Sequence, residues 1–200
     1  MNPLTSIKGT IIAGFVLAGI FIFAMGISGF NALNLEVWLH VLAGVVWIGL
    51  LYYFNFVQVP GVGAALAEKD SGGPGPAAIN KYVAPKALLW FRWSALVTWI
   101  SGVGALQNLP MEGGAHAAFT FAPGWEVIGL GAWLGTIMLL NVWGLIWPNQ
   151  KKILGLDGKE HSAEAIAKAK FVALMASRTN TLLSIPMLMC MIGYGHGLIV

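Results

Sequence analysis

Two of the four histidines in this chain, His40 and His196, lie within apolar stretches, and two neutral imidazoles form the donor set of a six-coordinate iron. Placed on different helices at matched depth, they can take an iron porphyrin from above and below while apolar side chains wrap the ring. Small residues flank both. Gly44 stands one helical turn from His40, and Gly193, Gly195 and Gly197 surround His196, which leaves room for a flat macrocycle. Trp47, two turns from His40, is placed to line such a cofactor or to pack in a core. The expectation is a b-type haem with His40 and His196 as axial ligands. The plainer alternative makes each an interfacial histidine bonded to a carbonyl or to water. A further arrangement, a metal ion shared by His40, His116 and His196, would use the affinity of imidazole for copper, iron or zinc, but has no neighbouring Cys or Asp to complete it. His161 sits in a charged connection and reads as solvated.

A second polar cluster runs Ser177-Arg178-Thr179-Asn180-Thr181, with Ser184 and Pro186 beyond it, in a stretch otherwise apolar. A charge inside a membrane is costly enough to need partners, so Arg178 is expected to draw acceptors such as Asn55, Asn141 and Asn180, as a head-group site or a clamp for a cofactor carboxylate. The competing reading is an interhelical hydrogen-bond network with Arg178 snorkelling to the surface. Soluble catalytic motifs are missing: the sequence has no glycine-rich nucleotide loop between strand and helix, no paired cysteines and no Cys-x-x-Cys-His. Cys190 has no second cysteine to pair with.

The elements that must position these residues are apolar segments of membrane-spanning length. With 58% apolar residues and only 10% charged, a soluble domain could not cover itself with polar surface. Five segments, about 10–29, 35–58, 86–106, 125–147 and 169–198, each approach the ~20 residues that cross ~30 Å of hydrocarbon. Threading them alternately places all eleven Lys and Arg residues on one side, from Lys8 through Lys69, Lys81, Lys86 and Arg92 to the group Lys151–Arg178. Positive charge resists translocation, so that side is cytoplasmic, and the C-terminus at Val200 is periplasmic. The fold class follows: all-α, one integral membrane domain of five transmembrane helices over residues 1–200. Val59-Pro60-Gly61 is expected to stop the second helix, the connection from Gly61 to Pro85 to be irregular, and Pro186 to kink the fifth helix. Basic residues interleaved with Glu68, Asp70, Asp157, Glu160 and Glu164 argue against nucleic acid as a partner. Glycine pairs at 14/19, 44/49 and 131/135 would allow close helix approach and self-association.

Near-continuous runs carry a resemblance. The stretches Trp38-Leu39-His40, Gly44 to Pro60, Trp90-Phe91-Arg92-Trp93 and Arg178 to Met187 resemble the membrane domain of bacterial urate hydroxylases, the urate oxidase N-terminal family. Members of known function join this domain to a C-terminal cytochrome c and are linked to urate breakdown. The resemblance implies a bacterial cytoplasmic membrane and electron exchange with a c-type cytochrome at the outer face, here supplied by another polypeptide. Two alternatives stay open: a cofactor-free structural subunit of a larger respiratory or photosynthetic complex, and a urate-oxidising enzyme working with a separate cytochrome.

Overall fold

Long apolar runs can satisfy their amide groups away from water only by coiling into helices, and the chain does so nearly throughout. The computed structural model describes residues 2–26 and 29–197. The chain is 82% helical, and no strand occurs among the described residues. Its helices are α1 (Ile7–Ala24), α2 (Ala32–Ala67), α3 (Ala84–Asn108), α4 (Gly114–Phe119), α5 (Glu126–Ile153) and α6 (Ala163–His196). Of these, α1, α2 and α5 are long and apolar enough to cross a membrane. Polar side chains set the starts: Ser6 and Ser162 cap α1 and α6, and Asn31 and Asn34 form a reciprocal capping box on α2.

Helices α2, α3, α5 and α6 close into a ring, α2 along α3 and α5 along α6, with α4 laid over α3 and α5. Lipid tails are as apolar as leucine, so burial alone cannot choose neighbours there; close backbone approach and hydrogen bonds do. The buried residues of α6 accordingly recur every three or four positions as Ala169, Ala173, Ala176, Asn180 and Ser184, and α3 presents Ser94, Ala95, Thr98 and Ser101. Trp47, Leu51, Phe54, Phe91, Met138 and Val142 fill the centre. No residue of α1 is buried, and its Phe15 meets Trp38 edge-on at 5.5 Å.

Val59-Pro60-Gly61 does not end the second helix, which continues to Ala67. The reason lies just before the proline. Residues Phe54–Gln58 form a widened π turn, in which the Val59 amide reaches back five residues to the Phe54 carbonyl. Proline breaks an α-helix because it lacks an N–H and its ring strikes the carbonyl four residues earlier. A π turn moves that carbonyl aside. The device recurs: π turns at Ile79–Val83 and Asn141–Ile146 precede Pro85 and Pro148. The expected irregular connection from Gly61 to Pro85 therefore shrinks to a short stretch around residues 72–76, and α5 runs past Trp147 to Ile153. Helix α6 passes Pro186 without interruption. The expected ends of the first and last spans fall beside residues 27–28 and 198–200, and both Leu198 and Val200 lie outside the described residues.

Candidate functional site

His40 lies on the face of α2 that meets α3. Its Nδ1 is 2.7 Å from the Thr98 carbonyl. A carbonyl only accepts, so Nδ1 carries the hydrogen and, in the neutral ring, Nε2 keeps its lone pair. The ring fits because α3 has a glycine opposite it: a Cβ on Gly102 would lie 2.8 Å from both Nδ1 and Cε1 of His40. Gly44, one turn along, would meet the Thr98 methyl at an ordinary 3.7 Å. One turn nearer the N-terminal end of α2, Glu36 Oε2 accepts from Asn108 Nδ2 at 2.8 Å, pinning the ends of α2 and α3. Gly104 gives room for the other carboxylate oxygen.

His196 ends α6 and is exposed. Its Nδ1 donates to the Ile192 carbonyl of its own helix at 3.2 Å, again leaving Nε2 as the free lone pair. The two histidines share a tautomer, but His40 packs against α3 whereas His196 ends α6, which packs chiefly along α5. Trp47 is almost wholly buried in the central cluster, and its Nε1–H finds no acceptor among the described residues. His116 is exposed on α4, and no group of three metal-ligating side chains occurs among the described residues, so His40, His116 and His196 do not assemble a shared metal site.

The second polar cluster forms, but around the neighbours of Arg178. Asn180 is fully buried between two helices, accepting from Asn141 Nδ2 and donating to the Met138 carbonyl, both at 2.9 Å. Ser177 accepts from Asn55 at 2.8 Å, and Tyr52 bonds Ser184 at 2.9 Å. At ~100° per residue these positions turn inward while Arg178 turns outward. Arg178 is exposed beside Leu182 and Ile185, and no hydrogen bond or ion pair joins it to another described residue, which corrects the expectation that Asn55, Asn141 or Asn180 would hold it. Two acceptors at this level, Asn55 Oδ1 and Gln58 Oε1, are buried without a partner among the described residues.

Sequence reasoning missed Thr98 and Gly102 as the seat of His40, and Tyr52 with Ser184 as a helix tie. The available signal was the small-residue spacing Ser94, Thr98, Ser101 and Gly102, which marks a close-packed face.

Residues 115–199 match the family model described as urate oxidase N-terminal. The matched part holds Asn141, Arg178, Asn180 and His196, whereas His40, Gly44 and Trp47 precede it. No curated protein and no solved structure matches the chain.

Proposed function

We propose, from the match of residues 115–199 to the urate oxidase N-terminal family model, that this is a five-span protein of the bacterial cytoplasmic membrane that exchanges electrons at its outer face. Its N-terminus and the connections around residues 68–76 and 154–162 face the cytoplasm, the side that holds every Lys and Arg. In this reading His40 and His196 would hold one b-type haem, and a c-type cytochrome would be the partner. The observation that carries it is the shared tautomer: each imidazole is oriented by a bond from Nδ1 to a main-chain carbonyl, the outer-shell arrangement that fixes a metal-binding Nε2. When bound, the haem supplies one-electron transfer. The chain's own work is to hold the rings: Thr98 and Gly102 seat His40. Arg178, about 27 Å down α6 from His196 at ~1.5 Å per residue, is too deep to reach the same macrocycle.

A visible spectrum of the whole protein, expressed with haem in excess, tests this. A low-spin Soret band that His40→Ala and His196→Ala each abolish is the expected result. A folded protein without that band overturns the haem and leaves the second reading, a cofactor-free subunit of a larger complex. That reading is favoured by α1, whose apolar side chains contact almost nothing in this chain. Urate consumption with added cytochrome c, assayed on the same preparation, tests the family's enzymatic reading directly.

A further inference from the structure

A groove runs along the outside of the α2–α3 pair. Two adjoining hollows of about 410 and 390 Å³ form it, sharing Leu50, Ala87 and Trp90 as their common floor. The first is lined further by Val45, Val46 and Gly49. The second opens at the other end between Tyr53, Tyr82 and Lys86. Its long axis lies along the helices. Lys86 stands about 33 Å from the Asn108 end of α3 at ~1.5 Å per residue, so the apolar part lies at hydrocarbon depth and the cation at the inner boundary.

We infer that this groove binds one acyl chain of an anionic phospholipid of the inner leaflet, with its phosphate at Lys86 and Lys81. Three observations converge on that occupant. The lining is apolar except at one end, which matches a chain with a polar head and fits neither a polar metabolite nor a second apolar helix. The polar end is cationic and uncompensated: the only ion pair among the described residues is His161–Asp157, so Lys81 and Lys86 keep their charge for a ligand. Lys81 is carried there by the π turn Ile79–Val83, where its ammonium lies 5.1 Å above the Tyr82 ring. Finally, Gly49 leaves the wall bare. A Cβ there would meet no described atom within 4 Å, so the missing side chain leaves open space.

The inference rests on the membrane-spanning reading above, and its test separates the two. The detergent-solubilised whole chain is titrated with phosphatidylglycerol or with phosphatidylcholine of the same acyl chains, and retained lipid is read by native mass spectrometry. Wild type should keep phosphatidylglycerol in preference. Lys86→Gln should cut that preference about fivefold, the worth of one lysine near an anionic lipid surface, and Lys81→Gln should add to the loss. Gly49→Leu, whose Cβ meets no described atom within 4 Å and whose longer side chain fills the groove, should remove both lipids. Equal retention of the two lipids by wild type, unchanged retention in Gly49→Leu, or a dimer whose formation excludes lipid would each overturn the inference. Resistance of every variant to alkaline extraction from membranes shows that the spans remain in place; extraction of wild type would instead overturn the membrane reading itself.

Discussion

Gly102 shows how much one missing methyl group does here. His40 is held by its 2.7 Å bond to Thr98 and cannot swing away, so Gly102→Ala must break that bond or push α2 off α3. Overpacking of this kind costs ~1–3 kcal/mol, which thermal unfolding in mild detergent should register. Gly135→Ala is the control: its Cβ meets nothing within 4 Å, and the gain in helix propensity should leave stability equal or up to ~1 kcal/mol higher. Asn180 is the second sensitive point. Removing it leaves Asn141 Nδ2 without its acceptor inside the bundle, and hydrogen bonds among membrane helices are worth ~0.6–1.7 kcal/mol each, so Asn180→Leu should cost ~1–2 kcal/mol. Adding Asn141→Leu should cost little more, because the pair is already broken. Arg178→Leu should change stability by less than ~0.5 kcal/mol, since nothing in the bundle leans on the guanidinium.

At the scale of elements, α4 and the connections do as much as the long helices. Helix α4 lies so tightly on α5 that a Cβ on Gly129 would run into the Ala118 carbonyl, and Trp133 Nε1 donates to the Phe119 carbonyl at 3.0 Å. Gly129→Ala should therefore loosen α4, read as faster amide exchange over Gly114–Phe119. In the connection before α6, His161 Nε2 donates to Asp157 Oδ2 at 2.8 Å, and that bond holds the Asp157 carboxyl below its usual range. A lowered carboxyl pKa contributes order that is present above the unfolded value and fades as pH falls through the folded one. The turn should accordingly loosen only toward acid, and an NMR titration of the Asp157 carboxyl against His161→Ala will check it. The long apolar segments were legible because their length and charge asymmetry follow from the bilayer alone. Helix ends at prolines were not, because a π turn depends on spacing within the preceding turn and leaves no compositional mark. The seat of His40 was hidden for a related reason: sequence shows that Gly102 is small but not that it faces an imidazole across α2 and α3.

For the whole molecule, the threading makes a direct prediction. An introduced cysteine at Ser71 should be shielded from an impermeant reagent in intact spheroplasts, and one at Gly113 should be labelled; the reverse pattern would invert the orientation. Helix length then carries a consequence of its own. Helix α2 has 36 residues and α6 has 34, about 54 and 51 Å at ~1.5 Å per residue, against ~30 Å of hydrocarbon. Tilting alone would have to exceed ~50°, outside the ~0–40° that spans adopt, so either helix, where it crosses a membrane, projects beyond the bilayer. On α2 the overhang Val59–Ala67 contains no charge. It forms an apolar reserve that a thicker bilayer can draw in without dragging an ion into oil, much as a ship carries freeboard. Stability measured across vesicles of increasing acyl length should stay level where a span cut to fit would show a sharp optimum.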